Sequence, residues 1–183
     1  MNRLFLFPLL PLLFLPLQAQ SRFGLEIGNT FAQGDIRQGL KSGSDGKVGG
    51  TLGATFRLLD FKPGVSFFGE AGDVAIRLRA SAIAYPEHAK PNTGIDVTGS
   101  SVNAEVVHTL GQGLTGFQII GGFGVARWER SSAVTTLVIR RPTATLGAGW
   151  QWSHVGVEAR WSSSSFSSRQ SANAVETAFT VRF

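Results

Sequence analysis

The chain contains no cysteine. That excludes a disulfide framework and any thiolate metal site, so stability must come from burial, strand pairing or a membrane. Past the first 17 residues there is no second apolar run long enough for a spanning helix, which needs about 20 residues. Histidine is scarce, with only His88, His108 and His154, and no His/Asp/Glu cluster has metal-ligand spacing. The Gly-rich stretch Gly46 to Gly53 does not close on the lysine and helix of a phosphate loop. Neither a metal nor another cofactor is expected.

The first residues carry a targeting pattern. Met1-Asn2-Arg3 is followed by Leu4 to Leu17, a run of Leu, Phe and Pro, and then by Gln18-Ala19-Gln20. A basic start, an apolar stretch and small or polar residues near Ala19 describe a secretory signal peptide over 1–20, cleaved at about residue 19 or 20. A membrane anchor is the competing reading, but the run is short and is interrupted by Pro8, Pro11 and Pro16. No cysteine follows it, so a lipoprotein is excluded. Residues 21–183 are expected to form one domain. Its balance is basic, since 17 Lys and Arg face 12 Asp and Glu over the whole chain. An exported protein meets lipid phosphates before nucleic acid, so the charge is read as a membrane-surface feature and nucleic acid is not expected as a partner.

From residue 22 onward the pattern has period two. Alternation predicts strands at about 22–32, 48–58, 74–85, 100–110, 117–130, 143–152, 155–161 and 175–183. Loops are expected at 33–47, 86–99, 131–142 and 162–173, although Val134 to Ile139 has a strand-like composition that would extend the sixth strand above the membrane, with Gly111-Gln112-Gly113 and Ser153-His154 as short turns. Residues 60–73, with the turn signal Lys62-Pro63-Gly64, are read as a connection plus an early, broken start of strand three. On these limits the connections alternate between long and short.

One parity of the strands carries the charge: Glu26, Arg57, Arg77, Arg79, Glu105, Glu158, Arg160, Glu176 and Arg182. The other carries Phe56, Phe117, Phe123, Trp150, Trp152 and Trp161. In a soluble barrel those aromatics would have to fit inside eight strands, where they are too bulky. The inverted arrangement fits better, with aromatics toward lipid and small residues plus paired Glu and Arg inside. Phe23, Trp152, Phe179 and Phe183, near strand ends, then lie at the interfaces.

The last nine residues sharpen this. Val175, Thr177, Phe179, Val181 and Phe183 share one face, opposite Glu176, Ala178, Thr180 and Arg182. A final strand that alternates and ends in Phe resembles the C-terminal signal of bacterial outer-membrane β-barrels, which implies recognition of Phe179, Val181 and Phe183 by the barrel assembly machinery. Over residues 21–183 the chain resembles the small eight-stranded outer-membrane proteins of the OmpA and OmpX type. The resemblance implies an all-β, eight-stranded antiparallel up-and-down transmembrane barrel in the bacterial outer membrane, monomeric, with both termini in the periplasm. No peptidoglycan-binding domain of the full-length OmpA type is expected with it.

Balanced Glu and Arg inside a narrow barrel argue for a salt-bridged plug, with Glu158 or Glu176 pairing with Arg57, Arg160 or Arg182. The competing reading is a gated polar pathway, a small channel. Outside, Arg37, Lys41, Lys47, Lys90, Arg130, Arg140, Arg141 and Arg169 form a basic rim that would bind lipopolysaccharide phosphates or a partner, against ordinary loop solvation. Some eight-stranded barrels are lipid A acyltransferases or deacylases. Here only His88, near Glu87, Asp96, Ser100 and Ser101, falls on the outer side; His154 is in a periplasmic turn and His108 on the lipid-facing parity. The expectation is a non-enzymatic barrel with a structural or surface-binding role.

Overall fold

The computed structural model describes residues 22–33, 48–61, 72–85, 95–110, 115–132, 136–167 and 170–183. They form eight antiparallel strands in one closed barrel: β1 (Phe23–Gln33), β2 (Val48–Phe61), β3 (Gly72–Tyr85), β4 (Ile95–Leu110), β5 (Gly116–Ser132), β6 (Thr136–Trp152), β7 (Val155–Ser167) and β8 (Gln170–Arg182). Each strand pairs with its neighbour in sequence. β8 closes on β1, with Val181 opposite Leu25 and Phe179 opposite Ile27, and a backbone bond of 2.8 Å from Phe183 N to Phe23 O. Closure leaves no free edge around the wall, which is the condition for a sheet to stand in lipid. The all-β, up-and-down barrel expected from the alternation is the fold observed.

The period-two pattern sorts the side chains. On β1 and β3, burial alternates residue by residue along most of the strand. Outward residues are apolar and exposed, among them Leu52 at 62%, Ile27 at 61% and Phe123 at 77%. Aromatic side chains ring the end that holds the chain termini: Phe23 and Phe183 (ring centroids 6.5 Å apart), Phe56, Phe117, Phe179, and Trp150 with Trp152 (6.4 Å). Phe31 and Trp161 stand at the opposite edge of the apolar band. The eight steps from Phe23 to Phe31, at about 3.4 Å each and tilted by about 40°, rise about 21 Å, close to the height of a lipid-facing band.

Several limits differ from those read off the sequence. Residues 131–142 and 162–173 are mostly strand: β5 runs to Ser132, β6 begins at Thr136, within the strand-like stretch Val134 to Ile139, and β7 and β8 are separated only by 168–169. The long-short alternation of connections therefore fails, because 62–71 at the terminal end exceed both 133–135 and 168–169 at the other. Ser-rich composition signalled a loop, but hairpin pairing overrides composition. Ser163 Oγ donates to Asn173 Oδ1 at 2.8 Å between β7 and β8, while Ser164 opposes Ala172 in register. β4 likewise starts at Ile95 rather than at residue 100.

Inside the barrel, large side chains lie over glycines of the adjacent strand. Glu26 pairs with Gly53, Glu105 with Gly122, Arg160 with Gly147 and Glu158 with Gly149. A Cβ on Gly149 would meet Val157 O at 2.6 Å and Glu158 Cγ at 2.8 Å, whereas one on outward Gly50 would meet nothing within 4 Å. Overpacking of this kind costs about 1–3 kcal/mol. Gly149→Ala is therefore expected to lower the stability of the folded barrel by that amount while Gly50→Ala leaves it unchanged, as read from urea unfolding followed by Trp fluorescence. Equal midpoints would contradict the fitted interior.

Candidate functional site

The interior is built around three arginines that reach across the lumen. From β3, Arg77 donates through Nη1 and Nη2 to both carboxylate oxygens of Glu158 on β7 (3.0 and 2.7 Å) and through Nε to Glu105 on β4 (2.7 Å). Two residues further along β3, Arg79 donates to Glu26 on β1 (2.7 Å) and to Glu176 on β8 (2.6 Å). Arg160 on β7 grips Glu26 with two bonds, of 2.8 and 3.2 Å, and also contacts Glu158. Its Nε stands 3.8 Å from Glu105. The bidentate forks are the geometry in which a guanidinium binds a carboxylate most strongly. Glu105 is 0% exposed and Arg160 1%, so these ions have exchanged water for one another.

Of the nine charged residues on the inner parity, all are buried, but they do not form one set. Arg57 does not reach Glu158 or Glu176. A bulge between Arg57 and Leu59 turns β2, and Arg57 Nε pairs with Asp60 at 2.5 Å. The sequence pattern places Asp60 in a connection, whereas it lies on β2. Arg182 reaches the network only at its edge, 3.6 Å from Glu158 and 3.5 Å from Gln118 Oε1.

Above the network, at the end away from the termini, the lumen holds an apolar cluster of Ala32, Ile83, Tyr85, Val97, Ala126 and Trp128. The Tyr85 hydroxyl bonds to Thr30 Oγ1 at 2.9 Å. Sequence reading missed this cluster, although its signal was present: Ile83 and Tyr85 continue the parity of Arg77, Arg79 and Ser81, and Trp128 that of Gln118 and Ala126.

Of the basic rim, Arg37, Lys41, Lys47, Lys90 and Arg169 lie outside the described residues. Arg130 is on β5 and pairs with Leu137 in register, while its side chain lies outside the described set. Arg140 and Arg141 are exposed, but they belong to β6 rather than to a loop. They occupy the part of β6 that pairs with β5 alone, since the β6–β7 register begins at Ala144 and Ser163. Arg140 shares its outward face with Val138 and lies opposite Arg127, which pairs with Glu129 at 2.7 Å. Arg127 was not singled out from sequence.

The histidines separate. His88 is outside the described residues. His108 keeps the parity of exposed Val106 yet is only 8% exposed, next to Gly72 at the terminal end of the wall. His154 sits in the β6–β7 turn, its Nδ1 2.8 Å from Ser153 Oγ, with Ser153 at φ 35°. Among the described residues no three His, Cys, Asp or Glu side chains are grouped to hold a metal ion. Phe179 and Phe183 face outward at the terminal end, and Val181 lies between them on the same face of the chain end.

No protein-family description matches the sequence, and no curated protein does. Solved structures do match in shape. The attachment invasion locus protein Ail of Yersinia pestis is 13% identical, with a TM-score of 0.54 over 90% of this chain and 99% of Ail. The outer-membrane enzyme PagL is 12% identical, with a TM-score of 0.52 over 89% of this chain and 100% of PagL. Neisserial surface protein A is 12% identical, with a TM-score of 0.51 over 88% of this chain and 96% of its own. The chain has the fold of the small eight-stranded outer-membrane β-barrels.

Proposed function

We propose that the protein is a closed, non-enzymatic barrel of the bacterial outer membrane, exported by a cleaved signal peptide over 1–20. In this reading the barrel assembly machinery recognises Phe179, Val181 and Phe183. Its lumen is a structural plug, and its outward basic surface contacts lipopolysaccharide. The observation that carries the reading is the lumen itself, where the Arg77, Arg79 and Arg160 forks fill the middle and Tyr85 and Trp128 cap one end. A conducting path needs a continuous wet lining, and this interior has neutralised its charges against each other instead. The chain ends then face the periplasm, and the β5–β6 extension faces outward.

The surface role rests on position. Arg127 and Arg140 oppose each other on the outward face, immediately above Val125 and Pro142, where the apolar band gives way to charge. Like charges directly opposite are unfavourable unless an anion offsets them; Glu129 does so for Arg127, and an outside anion would do so for Arg140. The phosphates of an outer-leaflet glycolipid occupy that level, and a charge-assisted bond to each guanidinium contributes about 1.5–3 kcal/mol. A second structure of Ail, with a TM-score of 0.55 over 90% of this chain, was solved in complex with the heparin analogue sucrose octasulfate, which supports this reading.

Single-channel recording in planar bilayers is expected to stay silent, and stable conductance steps would overturn the plug. Arg77→Ala leaves Glu105 and Glu158 buried without their main partner and is expected to destabilise the barrel by about 3–5 kcal/mol in urea; an unchanged midpoint would remove the network from any structural role. For the surface, the Arg127→Gln, Arg140→Gln double variant is expected to bind lipopolysaccharide about a hundredfold more weakly or worse. Unaltered binding would return these residues to ordinary solvation.

A further inference from the structure

The outward parity of β1 runs Phe23, Leu25, Ile27, Asn29, Phe31, and the asparagine breaks it. Asn29 is exposed on the same face as Ile27 and Phe31. It lies two residues inside Phe31, the aromatic at the edge of the apolar band, and so about 5 Å below that edge. Among the described residues its side-chain amide makes no hydrogen bond. An amide that meets only acyl chains is costly, and a polar side chain at that depth points to a partner.

The wall beside Asn29 is low. In register it stands between Gly50 on β2 and Thr177 on β8, and Gly50 in turn opposes Ala84 on β3. A Cβ on Gly50 would meet nothing within 4 Å. Larger exposed side chains rise on either side of this row, Ile27 and Leu52 toward the chain termini, Phe31 and Val48 away from them. Small residues are what allow two surfaces within a membrane to approach until their polar side chains meet.

We propose that the barrel pairs with a second copy of itself through this face, the two Asn29 amides bonding to each other across a twofold axis along the membrane normal. Three properties select a second copy as the occupant. An amide carries both donors and an acceptor, so it is complementary to itself. Copies inserted in one membrane share orientation and depth, so the twofold axis sets Asn29 against the partner's Asn29 in an isologous contact. The row of Thr177, Asn29, Gly50 and Ala84 also carries no charge that two copies would oppose. The basic surface of Arg127 and Arg140 is on β5 and β6, away from β1 around the wall, so the pair leaves it uncovered. This dimer stands in place of the monomer that the family resemblance implies, and it rests only on the barrel standing in a membrane.

The lack of cysteine makes the test direct, since an introduced thiol is the only one in the chain. Asn29→Cys, folded into phospholipid vesicles free of lipopolysaccharide, is expected to give a cross-linked dimer on oxidation or with a short thiol-reactive linker. Phe123→Cys, equally outward but on β5 across the barrel, should give none above background. Energy transfer between copies labelled with donor or acceptor dye at Phe123→Cys follows the dimer without a cross-link. Asn29→Leu keeps the site apolar and should leave the unfolding midpoint no lower, yet raise the dimer dissociation constant about threefold to tenfold. Gly50→Trp fills the low wall from a position with open space around it and should weaken the dimer likewise. Recovery of the folded barrel with the vesicles tests the membrane reading separately, whatever the thiols do. Equal cross-linking of Asn29→Cys and Phe123→Cys, or energy transfer that neither Asn29→Leu nor Gly50→Trp lowers, overturns the pairing. So does an Asn29→Cys barrel that stays monomeric while added lipopolysaccharide shields its thiol from labelling, which assigns the amide to lipid.

Discussion

The barrel depends on one constraint: its charges can be satisfied only across its own lumen. Arg77 on β3 holds Glu158 on β7, Arg79 on β3 holds Glu176 on β8, and Arg160 on β7 holds Glu26 on β1. These strands are not neighbours in the wall, apart from contacts such as Arg77 with Glu105 on the adjacent β4. The network therefore braces the cylinder along its diameters, where strand pairing does not act. Removing an ion from water costs several kcal/mol in a protein interior, and the loss is offset only when fork geometry fills most donors and acceptors. The bidentate contacts of Arg77 and Arg160 meet that condition.

The same constraint explains the glycines. An eight-stranded cylinder has room for side chains but not for two large ones at the same level from adjacent strands. Gly53, Gly122, Gly147 and Gly149 each lie beside a network member, so the space that Glu26, Glu105, Arg160 and Glu158 occupy is created by the strand next door. The ends of the lumen then diverge. Toward the strand extensions the inner residues turn apolar, in Ile83, Tyr85 and Trp128; toward the termini they turn basic, in Arg57 and Arg182.

Which residues share the interior was legible in the sequence because parity is a local property: Arg77, Arg79 and Ser81 had to face one way whatever the fold. Which of them meet was not, since that depends on how strands four apart in the chain are set at the same height by the tilt of the wall. Asp60 was missed for a local reason. The bulge after Arg57 shifts the β2 register against β3, so a residue of the wrong parity comes within reach of the guanidinium. The extended β7 was missed because Ser reads as loop where a strand leaves the lipid, yet pairing does not require an apolar face there; the extension of β6 was legible in the strand-like composition of Val134 to Ile139. Tyr85 and Trp128 could have been found by extending the inner parity of their strands to its end.

Burial alone does not explain why a membrane barrel keeps four glutamates and five arginines inside, since a well-packed apolar filling of the same volume is often as stable. Register does. With a side-chain period of two, a one-residue slip of β3 against its neighbours sends Arg77 and Arg79 out of the lumen together. Each arginine facing lipid costs about 2–4 kcal/mol at the midplane, so the slip costs about 4–8 kcal/mol before the abandoned glutamates are considered. A leucine pair would feel almost no such difference between lumen and lipid. The charges thus make the correct register the only one in which both faces of β3 are satisfied, and a wall with no free edge cannot relieve the error by local fraying.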